Sequence, residues 1–472
     1  GPDNTCIGKS SLSTATTDGQ CVAVGSGTLA TQNTAGTTAL NVAVGYNAGN
    51  VLTTATNDTL IGGLAGVAIT TGPNNVAVGK SALATATTDG QCVAVGSGAL
   101  ATQNTAGATA LNVAVGYTAG NVLTTATNDT LIGGLAGVAI TTGPNNVAVG
   151  KSALATATTD GQCVAVGSGA LATQNTAGAT ALNVAVGYTA GNVLTTATND
   201  TLIGGLAGVA ITTGPNNVAV GKSALATATT DGQCVAVGSG ALATQNTAGT
   251  TALNVAVGYT AGTALTTATN DTLIGGLAGV AITTGPNNVA VGKSALATAT
   301  TDGQCVAVGS GALATQNTAG ATALNVAVGY NAGNALTTAT NDTLVGGSAG
   351  ASITSGANNV AVGKSAFTAG TTGPNNVAVG SSALSTATTD GQCVAVGSGA
   401  LATQNTAGAT ALNVAVGYTA GNVLTTATND TLIGGLAGVA ITTGPNNVAV
   451  GSSALSTATT DGQCVAVGSG AL

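Results

Sequence analysis

Internal repetition is the sequence feature that most constrains how this 472-residue chain folds. Short, largely apolar tetrads such as Val-Ala-Val-Gly recur along the whole chain, and the first of their closing glycines are Gly8, Gly25, Gly45 and Gly62. Successive glycines are 17 or 20 residues apart, and four such units make a super-repeat of 71 residues. A period of this size indicates small structural units that stack and bury their apolar residues against their neighbours.

Each unit has the pattern of one coil of a parallel β-solenoid, or β-roll. β-Branched residues alternate in Val-Ala-Val-Gly and Thr-Leu-Ile-Gly, which favours short strands, and the Asp-Gly and Gly-Pro pairs between them favour turns. No segment between these turns is long enough for an uninterrupted amphipathic helix. The sequence therefore predicts an all-β fold of about 27 coils. We expect one continuous array over residues 1–472, as a segment of a longer chain.

One additional unit interrupts the regular spacing of the super-repeat. Cysteines recur 71 residues apart from Cys21 onward, but Cys393 follows Cys305 by 88 residues. The difference equals one 17-residue unit, which lies at residues 358–374. Since one unit corresponds to one coil, we expect this insertion to lengthen the stack by about 4.8 Å without a kink or an unpaired loop.

The two faces of each strand carry different side chains, although both faces are apolar. In the unit that ends at Gly79, Val76 and Val78 point to one face and Ala77 points to the other. We expect the valines to fill the interior of the coil and the alanines to face a second copy of the chain, because small side chains permit close approach. This assignment places Ala77 near a subunit interface.

Seven of the eight cysteines occupy one position, directly before Val-Ala-Val-Gly. Outside the inserted unit they recur every four coils, about 19 Å apart, which is too far for disulfides along one chain. Two alternatives remain: buried free thiols that act as small apolar residues, or thiols that cross-link chains or neighbouring rods. The candidate cross-linking residues are Cys21, Cys92, Cys163, Cys234, Cys305, Cys393 and Cys464.

The three additional residues of each 20-residue unit are expected to lie outside the strand. An odd insertion within a strand would turn every following side chain to the wrong face. We therefore predict a protruding, exposed loop in every fourth coil. In the first long unit this loop is Asn33, Thr34, Ala35 and Gly36, which form a candidate contact ridge for a neighbouring rod or another partner.

Two further rows of side chains are compatible with binding as well as with structural roles. A tyrosine follows the closing glycine once per super-repeat, as at Tyr46 and Tyr117, and either binds a glycan or covers the coil. Threonines such as Thr53 and Thr70 are expected to form ladders on the return part of the coil. Threonine pairs well across strands, and flat threonine ladders are also the surface that ice-binding solenoids present.

The composition excludes much chemistry. All 6 cationic side chains are lysines, all 14 acidic ones are aspartates, and the sequence lacks Arg, Glu, His, Met and Trp. Without histidine there is no imidazole base, no Ser-His-Asp triad and no histidine metal ligand. A net charge of −8 disfavours nucleic acid binding, and no apolar run is long enough for a transmembrane helix. We therefore expect no enzyme activity, no catalytic residues, no cofactor, no metal and no membrane insertion in this segment.

The motif Asn-Val-Ala-Val-Gly-x-x-Ala, present as Asn75 to Gly79 with Ala82, resembles the YadA-like head repeats of trimeric autotransporter adhesins. Similar repeats occur in trimeric tail fibres of phages. The resemblance extends over all 27 units and implies a left-handed β-roll, a side-by-side homotrimer and a location outside the cell or on a virion. Because the units here are longer than the compact unit of the family, their outer turns are expected to bulge.

These features predict an extracellular structural protein, the rigid shaft of a fibre or filament at a cell or virion surface. Its expected partner is itself, as a homotrimer and through end-to-end or lateral assembly into filaments. The main alternative is an adhesin or a phage tail-fibre head that binds a receptor or glycan on a host surface. An ice-binding solenoid is a third alternative, which requires an unbroken flat threonine face.

Overall fold

The structure is a computed structural model that describes residues 3–35, 38–105, 109–176, 180–247, 251–318, 322–406 and 410–472. These residues form 27 strands of three residues each, one for every unit of the sequence. Turns and bends connect the strands, and the described residues include no helix that is long and apolar enough to cross a membrane. The predicted all-β parallel β-solenoid is therefore confirmed.

Packing groups the described residues into two units, residues 3–234 and residues 235–247 with 251–472. The strands of the first unit are β1 (Thr5–Ile7), β2 (Val22–Val24), β3 (Val42–Val44), β4 (Thr59–Ile61), β5 (Val76–Val78), β6 (Val93–Val95), β7 (Val113–Val115), β8 (Thr130–Ile132), β9 (Val147–Val149), β10 (Val164–Val166), β11 (Val184–Val186), β12 (Thr201–Ile203) and β13 (Val218–Val220). The strands of the second unit are β14 (Val235–Val237), β15 (Val255–Val257), β16 (Thr272–Ile274), β17 (Val289–Val291), β18 (Val306–Val308), β19 (Val326–Val328), β20 (Thr343–Val345), β21 (Val360–Val362), β22 (Val377–Val379), β23 (Val394–Val396), β24 (Val414–Val416), β25 (Thr431–Ile433), β26 (Val448–Val450) and β27 (Val465–Val467).

Consecutive strands within each unit pair in parallel and in the same register. Val76 of β5 aligns with Val93 of β6, and Ala77 aligns with Ala94. The inserted coil keeps this register on both sides, because Val360 of β21 aligns with Thr343 of β20 and with Val377 of β22. The prediction that residues 358–374 add one coil in register is therefore confirmed.

The interior of the coil contains the alanines of the strands, so the predicted assignment of the two strand faces is wrong. Ala77 is fully buried within its own chain, whereas Val76 and Val78 are only half-buried. The return part of the same coil sends Leu83 into the interior, where it is also fully buried. A leucine on one side of a narrow coil leaves room for little more than a methyl group on the other, and the valines therefore point outward.

Side chains of complementary size fill this narrow interior. In the coil of β4 the central strand residue is Leu60, and the position that Leu83 has in the coil of β5 is taken by Gly66. A methyl group added to Gly66 would approach Leu60 Cδ2 to 2.9 Å and Ile69 Cδ1 to 2.7 Å. A large side chain from the strand thus requires a small one across the interior, because the core is close-packed.

The closing glycine is required by the close stacking of the coils. Gly79 has a φ of +136°, a conformation that residues with a side chain rarely adopt. A Cβ atom at Gly79 would lie 2.5 Å from the carbonyl oxygen of Gly96 in the next coil. At the repeated glycine that defines the sequence period, the backbones of successive coils are therefore too close to leave room for a side chain.

Candidate functional site

The first and third residues of the strands form an apolar surface on the outside of the coils, which we call the outer valine face. Valine predominates in it, with Thr59 and Ile61 at these positions of β4. Most of its members are half-buried because the strands above and below shield them. The third residues of several strands are somewhat more exposed, such as Ile61 at 39 % and Val257 at 36 %, and the members on the end strands β1 and β27 are exposed. Parallel sheets are normally covered on both faces, and here the coil interior covers only one.

The residue directly before each strand forms a column of buried side chains, which we call the ladder. Asn, Asp or Cys occupies its positions, for example Asn41, Asp58, Asn75 and Cys92 in succession. The Oδ1 atom of each Asn or Asp accepts a hydrogen bond from the backbone N–H of the next ladder residue. The N···O distances are 2.8 Å from Asp58 to Asn41, 2.7 Å from Asn75 to Asp58 and 3.0 Å from Cys92 to Asn75. The ladder thus joins each coil to the next.

The cysteines continue the ladder with sulfur in place of oxygen. Cys92 Sγ donates to Gly90 O at 3.8 Å, and the backbone N–H of Asn112 in the next coil is directed at the sulfur. Burial raises the pKa of Cys92 to about 12, although that N–H acts in the opposite direction. Of the seven candidate cross-linking cysteines, Cys464 is half-buried and the others are fully buried, namely Cys21, Cys92, Cys163, Cys234, Cys305 and Cys393. This placement favours the buried-thiol alternative.

The aspartates of the ladder are the least satisfied of its side chains. Asp58 is fully buried, and its Oδ2 atom has no hydrogen-bond partner among the described residues. Burial raises the pKa of Asp58 to about 7, although hydrogen bonds from the backbone and side chain of Asn75 act in the opposite direction. The pKa is also raised to about 7 at the equivalent residues Asp129, Asp200, Asp271 and Asp342 and to about 6 at Asp430.

A second set of buried aspartates holds the base of the long loops. Asp18 Oδ1 accepts hydrogen bonds from Thr34 N at 2.7 Å, Thr34 Oγ1 at 2.6 Å and Gln32 Nε2 at 3.2 Å. Burial alone would raise the pKa of Asp18, but these hydrogen bonds outweigh it and hold that pKa below its usual value. The long loop is therefore anchored by a buried carboxylate at its base.

The candidate contact ridge lies on this loop. Asn33 and Ala35 are exposed, whereas Thr34 is only 8 % exposed because its hydroxyl and its backbone N–H both donate to Asp18. Gly36 lies outside the described residues. Within the ridge, the described residues that a partner can reach are therefore Asn33 and Ala35.

Tyrosine and threonine rows differ in their accessibility. The six tyrosines are 63 % to 66 % exposed and recur once per super-repeat, at Tyr46, Tyr117, Tyr188, Tyr259, Tyr330 and Tyr418. In contrast, the hydroxyl of Thr53 donates to Thr70 O and that of Thr70 donates to Thr87 O, each at 3.0 Å. These threonine hydroxyls already serve the stacking of the coils, which does not favour the ice-binding alternative.

The ladder is the main feature that sequence reasoning did not identify as an interacting column. Its signal is present in the sequence, because Asn, Asp or Cys stands directly before the three residues of each strand. Among the described residues, no group of three or more Asp and Cys side chains is arranged to hold a metal ion. Comparison with protein-family models and with curated proteins finds no match to this sequence.

Proposed function

We propose that this chain is part of the shaft of an extracellular fibre or filament, in which copies of the chain pack side by side as a homotrimer through the outer valine face. The observation that carries the proposal is this face itself. Within each of the two units it is an apolar strip, largely half-exposed, on a parallel sheet whose other side is filled by the chain's own alanines and leucines. Contiguous apolar surfaces larger than those of an ordinary monomeric protein mark interaction sites.

The repetition of the face supports a copy of the same chain as the partner. Every coil presents the same two outward positions, so a parallel copy would meet a matching surface along each of the two units. The resemblance to YadA-like head repeats supports a trimer at the surface of a cell or virion. In this arrangement the chain has a mechanical role, since each added coil extends the hydrogen-bonded stack by about 4.8 Å.

The assembly can be tested by sedimentation velocity of the purified chain. We expect the unmodified protein to sediment with three times the mass of one chain. Replacing Val76 and its equivalents Val147, Val218 and Val289 by Asp should produce monomers, because a buried unpaired charge is costly. The matched control replaces the exposed Thr54 and its equivalents on the return part by Asp and should leave the mass unchanged. A monomeric unmodified chain would contradict the proposal.

A second candidate function is binding of a host-surface glycan by the tyrosine row. It is supported by the exposure of the six tyrosines at one position of successive super-repeats, since aromatic rings on a regular surface suit repetitive ligands. Replacing all six by Ser should abolish binding on a glycan array without changing the sedimentation behaviour. Absence of binding by the unmodified trimer would exclude this candidate and leave the shaft proposal intact.

A further inference from the structure

The ladder aspartates occupy a position that the fold builds for an amide. In neighbouring coils the same position is Asn, and its two side-chain groups have separate roles. Asn75 Oδ1 accepts from Cys92 N at 3.0 Å, while Asn75 Nδ2 donates to Gly72 O and Asp89 O, both at 2.9 Å. Each side chain thus offers one acceptor to the next coil and one donor to main-chain carbonyl groups.

Asp58 reproduces the acceptor but not the donor. Its Oδ1 atom accepts from Asn75 N at 2.7 Å, as the asparagine oxygens do in their coils. The carbonyl groups at the positions equivalent to Gly72 and Asp89 are, for Asp58, those of Ala55 and Gly72. These two carbonyl oxygens accept from the amides of Asn41 and Asn75 at 2.8 Å and 2.9 Å. The Oδ2 atom of Asp58 has no hydrogen-bond partner among the described residues. The amide of the adjacent Asn75 is already engaged with Gly72 O and Asp89 O. At the position where asparagine has its donor, only a protonated carboxyl group could donate to a carbonyl oxygen.

The surroundings of Asp58 contain no charge that would stabilise a carboxylate. The ladder positions of the coils on either side are neutral amides, Asn41 and Asn75, and Asp58 has no salt bridge within the described part of the chain. Along the ladder, the other titratable groups are the thiols of Cys21 and Cys92, each two positions from Asp58. Asp89 lies one coil further along the chain, and its main-chain carbonyl accepts from Asn75. The lysines, such as Lys80, are exposed at the surface. A negative charge on Asp58 would thus be buried without a partner, which is costly.

We propose that the six ladder aspartates are buried proton-binding sites, and that uptake of a proton at each Oδ2 atom tightens the contact between coils and makes the solenoid more stable in mildly acidic than in mildly alkaline solution. The six residues are Asp58, Asp129, Asp200, Asp271, Asp342 and Asp430. The Oδ2–H group of the protonated side chain donates a hydrogen bond to a neighbouring carbonyl oxygen, so the ladder acquires at each aspartate the donor that asparagine provides elsewhere.

The direction of the pH effect follows from proton linkage. Burial raises the pKa of Asp58 to about 7 from the ordinary 3.8 that it regains on unfolding. The folded state therefore binds more protons between about pH 4 and pH 7, and stability falls as pH rises through this window. The loop-base residue Asp18 has the opposite behaviour, because its lowered pKa makes stability fall as pH drops through and below the ordinary value. Asp58 and Asp18 thus affect stability in different pH ranges.

Thermal unfolding between pH 5 and pH 9 at one protein concentration tests this inference. We expect the midpoint of the unmodified chain to fall from pH 5 to pH 8 and then to level off. Replacing all six ladder aspartates by Asn should raise the midpoint at pH 8 and remove the dependence between pH 5 and pH 8. A midpoint that is constant or rises over this range in the unmodified chain would overturn the proposal.

The matched control replaces the loop-base aspartates of the other set, among them Asp89, by Asn. Asp89 Oδ1 accepts from Thr105 N, Thr105 Oγ1 and Gln103 Nε2, so its replacement should lower the midpoint at every pH and preserve the dependence between pH 5 and pH 8. If the six-fold variant fails to fold, infrared spectra of the unmodified chain at pH 6 give an independent readout. The protonated-carboxyl band should be present at pH 6. In the single variant Asp200→Asn, the intensity of this band should fall by the share of one site in six. Absence of the band at pH 6 would overturn the proposal.

Discussion

The inserted coil contains a pair of residues whose sizes compensate each other, and this pair allows a quantitative test of the packing. Phe367 is fully buried at the position that Leu384 occupies in the next coil, and Gly370 takes the place of Ala387. A methyl group on Gly370 would lie 2.5 Å to 2.7 Å from three ring carbons of Phe367. The larger ring is thus accommodated only because the neighbouring side chain is missing.

The two single substitutions should destabilise the coil, and the double substitution should not. We expect Gly370→Ala to cost about 2 kcal/mol through overpacking and Phe367→Leu about 1 kcal/mol through loss of buried apolar volume. The double variant recreates the Leu-Ala pair of the next coil and should lie within about 1 kcal/mol of the unmodified protein. The expected interaction energy is therefore about 2 kcal/mol in favour of the double variant.

Amide hydrogen exchange of β21 measures these differences locally. Since 1.4 kcal/mol corresponds to about a tenfold change in an equilibrium constant, Gly370→Ala should accelerate exchange about 30-fold, and the added Phe367→Leu should reverse most of this. The control is Gly347→Ala in the preceding coil, where an added methyl group meets nothing within 4 Å and exchange should be unchanged or slower. Additive effects of the two substitutions would refute the packing argument.

A substitution at the closing glycine and a thiol-modification experiment test the close stacking of the coils. Gly79→Ala places a methyl group against the carbonyl of Gly96 and forces a disfavoured φ, so we expect about 3 kcal/mol of local destabilisation; unchanged exchange of β5 would contradict this. A thiol reagent at pH 8 should modify Cys6 and, more slowly, the half-buried Cys464 in the native chain, and all eight cysteines after unfolding. The other six thiols are buried, and burial raises the pKa of Cys92 to about 12. Rapid native modification of more than two thiols would show that the ladder opens.

The repeat period was sufficient to predict the strands, because a glycine with positive φ and an alternating apolar tetrad both fix local structure. The outward orientation of Val76 and Val78 could not be predicted in the same way, since both faces of the strand are apolar and alternation alone does not say which is inside. The decision depends on Leu83, which enters the interior from the opposite side of the coil. Leu83 follows Ala77 by six residues and lies outside the strand, so the alternation within the strand does not include it.

The burial of one residue of the predicted loop could not be read from the sequence either. Thr34 looks like an exposed loop residue in the sequence, but it is buried because Asp18, sixteen residues earlier, accepts two hydrogen bonds from it. The ladder positions were visible as recurring Asn, Asp and Cys, yet their hydrogen bonds join residues 17 or more positions apart. Interactions between coils therefore had to be obtained from the structure.

The ladder accepts a changed order of Asn, Asp and Cys, and this affects how such chains can change in length. Around the inserted coil the order of ladder residues is broken, because Asn359 is followed by Asn376, yet the hydrogen bonds continue from Asp342 to Cys393 at 2.6 Å, 2.9 Å and 2.9 Å. Each step needs only a short side chain with an acceptor atom, so the ladder itself does not fix which coil must follow. The interior is more restrictive, because Gly49 leaves room for Leu60 of the next coil. Recombination between copies misaligned by one unit would therefore keep the ladder continuous, and length can evolve in steps of one coil wherever the sizes of the interior side chains also match.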